Sequence, residues 1–269
     1  MRRIILSMAL ATAVISANAQ DMNSKRGTPI LPEVKDWTIG VDATPFLDYA
    51  GNLFSQYGNS APSFDFAKNP LIITGGMVKD ETTTYRVMAR IGFNSSKDED
   101  LIDATWTPEP NDQATDVTKT SSRNITLGAG IQKNRGKGRL RGIYGAEAMI
   151  MFGGGKSTFE NGTPDTLLFT PIDIETKQGS TLGLGLRAFI GAEYFFAPKI
   201  SISGEFGWGL SISSQGEGET TSKQYGDDPS TPNDPNNVVY ETTSKSGKSS
   251  SFGIDTDNLG GAIIMHFYF

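Results

Sequence analysis

Arg86, Arg90, Arg141 and Arg187 are matched in number by Asp42, Glu147, Glu193 and Glu205, and every one of them interrupts an alternating apolar run. Carboxylates and guanidinium groups in such runs have three uses: proton transfer, lining an ion path, or neutralising one another. Parity decides which side each occupies. In RLRGIYGAEAMIMF, Leu140, Tyr144, Ala146, Ala148, Ile150 and Phe152 share one parity, while Arg141, Gly145 and Glu147 share the other. TLGLGLRAFIGAEYFF sets Leu182, Leu184, Leu186, Ala188, Ile190, Ala192, Tyr194 and Phe196 against Arg187, Glu193 and several glycines. If these two segments run antiparallel, Arg141 comes level with Glu193 and Glu147 with Arg187. Crossed Arg–carboxylate pairs are therefore expected, because a charge buried alone is costly.

Other candidates for chemistry are weaker. His266 is the only histidine and there is no cysteine, so the usual zinc ligand sets are missing and no cofactor is expected. Its parity turns it to the charged side, near one end of the last segment, where a structural role is expected. The glycines of TLGLGL open no helix, so the dinucleotide fingerprint lacks its structural condition. They make room for long Arg and Glu side chains instead. No catalytic or metal-binding residue is assigned, and no enzymatic activity is expected.

The positioning elements follow from the same alternation. Period two marks strands with one apolar and one polar face. KISISGEFGWGLSIS repeats it, with Ile200, Ile202, Phe206, Trp208, Leu210 and Ile212 opposed to Ser201, Ser203, Glu205 and Ser211. Eight such segments are expected, at 37–47, 71–79, 83–94, 124–133, 140–152, 181–196, 200–213 and 258–269. Pro45 interrupts the first near its end, where a lost ladder bond costs least. Short connections alternate with long ones at about 48–70, 95–123, 153–180 and 214–257. This is the pattern of an even-stranded antiparallel barrel with tight turns on one rim. Trp37, Tyr85, Tyr194, Phe196, Phe267 and Phe269 gather at the tight-turn ends. Phe93, Phe152 and Trp208 lie nearer the other ends, as two interfacial aromatic girdles would.

The chain begins MRRIILSMALATAVISANAQ: two arginines, an apolar run too short to span a bilayer, then Ala17-Asn18-Ala19. That is the pattern of a secretory signal peptide over 1–19. Its removal leaves 22 basic against 30 acidic side chains, a balance of −8 where the full chain has −6. Such a chain is a poor partner for nucleic acid. Residues 20–36 then precede the barrel of 37–269 as a short periplasmic segment, placed to lie over the interior or to dock a partner. Of the long connections, 95–116 is acidic around Trp106. In the last, SSQGEGETTSKQY and VVYETTSKSG flank GDDPSTPNDPNN and are placed to pair as a hairpin. The Asp/Asn clusters hold oxygen ligands of the kind Ca²⁺ takes, but a solvated acidic loop is the reading adopted.

The terminal GAIIMHFYF carries the resemblance to a known class. An exported chain ending in an alternating apolar strand with terminal phenylalanine resembles bacterial outer-membrane barrels, here the eight-stranded, OmpA-type barrel domains. The DATPF and YRVMARIGF segments look further like the small barrel proteins of the Bacteroidota. The resemblance spans 37–269, with no peptidoglycan-binding domain following. It implies an all-β transmembrane barrel in the bacterial outer membrane, both termini periplasmic, embedded in outer-membrane lipid and lipopolysaccharide. It also implies that Met265, Phe267 and Phe269 form the signal read by the barrel-assembly machinery. The interior of an eight-stranded barrel is just filled by side chains. The expected role is therefore structural, or interaction with an outer-membrane protein partner through the long outer loops. A narrow gated channel for small solutes or ions is the alternative.

Overall fold

The computed structural model describes residues 22–43, 72–107, 112–230, 237–256 and 262–269. The expected signal peptide, Pro45 with the end of the first segment, the connection 48–70, and the beginnings of the second and last segments lie outside them. So does half of the GDDPSTPNDPNN stretch, residues 231–236.

The described residues form no α-helix, only a 3₁₀ turn at Asp165–Leu167. The strands are β1 (Trp37–Asp42), β2 (Ile72–Asp80), β3 (Thr83–Asp103), β4 (Gln113–Arg135), β5 (Leu140–Glu160) and β6 (Ile172–Lys177). They continue as β7 (Thr181–Ala197), β8 (Ile200–Gln215), β9 (Glu219–Asp227), β10 (Asn237–Lys245), β11 (Ser249–Thr256) and β12 (Ala262–Tyr268). Every pairing is antiparallel. Successive ladders link β1, β2, β3, β4, β5, β7, β8 and β12, and β12 pairs again with β1. The sheet thus closes partly in a ring, which removes edges that would leave N–H and C=O groups unpaired.

The remaining strands prolong passes of that ring. On β5, Gly153 pairs with Thr181 of β7 and Lys156 with Lys177 of β6, so β6 and β7 are one pass broken at 178–180. Gln178 N–H bridges the break to Gly155 C=O at 2.9 Å. The pass of β8 and β9 breaks alongside it, and that of β10 and β11 breaks at 246–248. Backbones approach closely at this seam: a Cβ on Gly179 would stand 2.0 Å from Gly216 C=O.

Three passes run longer than expected. β3, β4 and β5 hold 21, 23 and 21 residues, continuing past 94, back from 124 and past 152. Beyond those points polar residues predominate on both faces, with only isolated Leu101, Ile102, Val117 and Phe159, so the apolar period stops while the hydrogen-bond ladder goes on. Thr and Val on β4 suit that extended, solvated ladder. Much of what was expected as loop at 95–123, 153–180 and 214–257 is therefore strand, and within the last of these β9 and β10 pair as the hairpin expected there.

Burial is inverted relative to a water-soluble sheet protein. Arg86, Arg141, Glu147, Glu193, Glu205, Ser201, Ser203 and His266 are buried. Leu184 is 59% and Ile190 65% exposed, against 1% for Glu193. The polar parity lines the ring and the apolar parity clothes its outside. Apolar burial is concentrated at the tight-turn end, where Ile30 of the N-terminal segment packs with Val78, Phe195 and Tyr268. That segment is fastened by backbone bonds. Lys35 N–H donates to Val78 C=O at 2.7 Å, Val78 N–H to Asp36 C=O at 2.9 Å, and Lys199 N–H to Ile30 C=O at 3.0 Å. Residues 22–36 therefore lie over the end of the ring.

Candidate functional site

The interior charges form two groups, each built from several strands. In the first, Arg86 of β3 reaches Glu205 of β8 through Nη1 at 2.6 Å and Nη2 at 3.1 Å. Its Nη1 also donates to Gln132 Oε1 at 3.1 Å. Nε lies 2.8 Å from Glu147 Oε1, but neither atom makes an aligned hydrogen bond, so this is charge contact rather than a directed bond. Glu147 is held from its other side by Arg187, register partner of Glu147, at 3.2 Å. Arg187 lies 3.7 Å from Glu205 as well. Two arginines and two glutamates so alternate, each touching both members of opposite sign.

The second group sits nearer the tight-turn end. Arg141 Nη2 donates to Glu193 Oε2 at 2.9 Å, the two being register partners on β5 and β7. The other oxygen of Glu193 accepts from the hydroxyls of Ser201 at 2.6 Å and Tyr268 at 2.7 Å. His266 Nε2 stands 2.9 Å from Ser203 Oγ, while its Nδ1 has no partner among the described residues. Aromatic rings complete both groups. Arg86 and Arg187 lie over Phe189, at 4.6 and 5.3 Å from its centroid, and Arg141 over Phe195 at 4.6 Å. A desolvated cation gains from the negative face of such a ring.

The expected pairs Arg141–Glu193 and Glu147–Arg187 are in contact, and Arg86 and Glu205 join them. Arg90 makes no ion pair with this network. Arg90 is half-buried opposite Ile72 and Thr126, and Asp42, also half-buried, pairs in register with Ile264. Reading parity alone missed Phe189 and Phe195, which share the parity of Arg187 and Glu193. Being apolar, they did not register as members of a polar face. Gln132 and Tyr268 were missed as well, and Ser201, placed on the polar face, was not named as a partner of Glu193.

These carboxylates are committed to partners within the two groups. Among the described residues no three His, Asp or Glu side chains converge as a metal site. A concavity of about 630 Å³ between β3, β4, β5 and the break at 178–180 is lined by Asn94, Ser122, Gln178 and Ser180 together with Phe93, Arg123, Lys156 and Lys177. It offers hydroxyl, amide and cationic groups, with no carboxylate in its lining.

At the outer surface, Trp37, Tyr85, Phe196, Phe267 and Phe269 are exposed at the tight-turn ends, with Tyr194 half-buried beside them. Phe93 and Phe152 are exposed further along, and Trp208 midway along β8. Met265 is half-buried. Two groups in the tight turns have shifted acidities. Asp80 is held below the usual carboxylate range by the hydroxyl and N–H of Thr82, at 2.8 and 2.9 Å. Lys199 is raised above the usual lysine range by Asp36 at 2.8 Å and Glu33 at 3.3 Å.

No family model matches this chain, and no curated protein matches it.

Proposed function

We propose that this chain is an exported, eight-stranded antiparallel β-barrel of the bacterial outer membrane. Its interior is closed by the Arg86–Glu147–Arg187–Glu205 and Arg141–Glu193 ion pairs. In this reading both termini are periplasmic and the prolonged strands rise outside the cell. The barrel serves structurally, or docks a protein partner through that extension. One observation carries the proposal: the apolar parity of the ring is exposed while its charges are buried. In water, a belt of Leu, Ile and Phe this continuous would drive aggregation. In a bilayer it meets acyl chains, and closure satisfies the backbone as hydrocarbon demands.

The reading is tested by washing cell envelopes at high pH and by running the chain on gels with and without boiling. It predicts retention in the envelope until detergent is added, and a mobility that changes on boiling. Release by alkali alone overturns it. Conductance across a planar bilayer separates a closed barrel from the narrow channel. Silence is expected, whereas steady unitary currents altered by Arg187→Ala would replace the structural role with transport. Native purification in mild detergent should recover a defined protein partner, and a chain that always emerges alone would remove the docking role.

A further inference from the structure

We propose that the exposed face of β3, β4, β5 and β6 beyond the apolar belt binds the phosphate groups of an outer-leaflet lipid. This rests on the membrane reading, and it assigns what that reading leaves open, a specific headgroup site. On β4, β5 and the pass of β6 and β7, the first charge met after the last large exposed apolar residue is a cation, and on β3 a cation is the first charge after Phe93, ahead of Leu101. Lys97 follows Phe93, Arg123 precedes Leu127, Lys156 follows Phe152 and Lys177 precedes Leu182. Acids appear only further out, at Glu99, Glu160 and Glu175. A headgroup phosphate sits just beyond the acyl chains, at the level of that first charge.

The register makes the arrangement costly without a bound anion. Lys97 stands directly opposite Lys119, and Lys156 directly opposite Lys177. Like charges in such positions destabilise a sheet. Glu175 touches both Lys156 and Lys177, at 2.7 and 2.6 Å, Glu160 touches Lys119, and Glu99 touches Lys97. Four lysines thus share three acids. Arg123 makes no ion pair among the described residues. Its guanidinium lies along the small residue opposite it, with Nε 3.5 Å from where a Cβ on Gly154 would stand. A planar guanidinium so placed can meet phosphate oxygens two at a time. On the far side of the ring the first charge after Ile212 is Glu217, and Phe252 is preceded, beyond three serines, by Lys248, a single cation that meets Glu217. In a chain with a net charge of −6, a cluster of five cations bordering the apolar belt fits an anionic lipid.

The full chain in detergent is titrated with diphosphorylated lipid A and with the same lipid stripped of phosphate, and retained lipid is counted by native mass spectrometry. Preferential retention of the phosphorylated form is expected. Affinity should fall roughly thirtyfold or more in an Arg123→Ala/Lys156→Ala/Lys177→Ala variant, and stay unchanged in Lys245→Ala. Boiling-dependent mobility confirms that each variant is folded. Should the triple variant not fold, the single Arg123→Gln replaces it, with a severalfold loss expected. Equal retention of both lipids, or a triple variant matching the wild type, overturns the site. Displacement by millimolar inorganic phosphate would assign it to the free ion and overturn the lipid. A wild-type chain that fails to enter vesicles would instead sink the membrane reading itself.

Discussion

Arg86 touches Glu205 from β8 and Glu147 from β5 at once, with its guanidinium over Phe189. Its loss strands two buried carboxylates with only Arg187 between them, at 3.2 and 3.7 Å. Breaking a buried ion network in this way costs about 3–5 kcal/mol, so Arg86→Ala should lower the unfolding free energy by that amount. Arg141→Ala should cost less, because Glu193 keeps the hydroxyls of Ser201 and Tyr268. Urea unfolding of vesicle-inserted protein measures both. An Arg86→Ala loss no greater than that of Arg141→Ala would mean the network is not the support described. At the rim, Lys199 supplies a pH dependence. Its pKa is raised by Asp36 and Glu33, so its contribution is whole below the ordinary lysine range and vanishes as pH rises through the raised value. Residues 22–36 should stay docked through neutral pH and loosen only in strong alkali. In Lys199→Ala they should be looser at every pH. Cleavage of that segment by an alkali-tolerant protease reports it, and loosening that begins under mild acid would contradict the assignment.

Strands are placed by their two faces, and the glycines show how tightly. A Cβ on Gly145 would stand 2.7 Å from Phe189 Cζ and 2.2 Å from Ile131 C=O, whereas one on Gly204 would meet nothing within 4 Å. Gly145→Val should therefore cost about 1–3 kcal/mol through overpacking, while Gly204→Leu on the outer face should be tolerated. The midpoint of the boiling-dependent mobility shift distinguishes them, and equal effects would mean the inward and outward faces are misassigned. The same two-face logic explains what sequence reveals. From 83 to 94 each face of β3 meets one medium, so alternation is plain. From Ser95 to Asp100 both faces are polar, and the strand leaves no period to read. Parity gave the side of every interior charge, and neighbouring strands gave Arg141–Glu193 and Glu147–Arg187. It could not give Arg86–Glu205, which joins β3 to β8 across the ring, because that contact depends on closure and on how steeply the strands climb. Phe189 and Phe195 were illegible for a different reason. They are apolar residues on the charged side, useful there only as surfaces for guanidinium groups.

Taken whole, the molecule presents one medium with charge and the other with hydrocarbon, and the two parities of β7 sample both. Phe196 marks one end of its exposed apolar series, and Leu182, paired with Phe152, marks the other. Ile190 lies near the middle, 65% exposed. Were that surface wet, arginine at any of these positions would cost almost nothing. In a bilayer the cost depends on depth, at about 2–4 kcal/mol for arginine at the midplane and about 0–1 kcal/mol near either interface. A series of Leu182→Arg, Leu186→Arg and Ile190→Arg, each unfolded from lipid vesicles, should therefore climb from near zero at Leu182 to a maximum at Ile190. None of these side chains enters the interior ion pairs, so a graded loss cannot be charged to the network that Arg86 supports. A flat series close to zero would mean that the exposed belt faces water, and the barrel, its lipid site and its placement in the outer membrane would fall together.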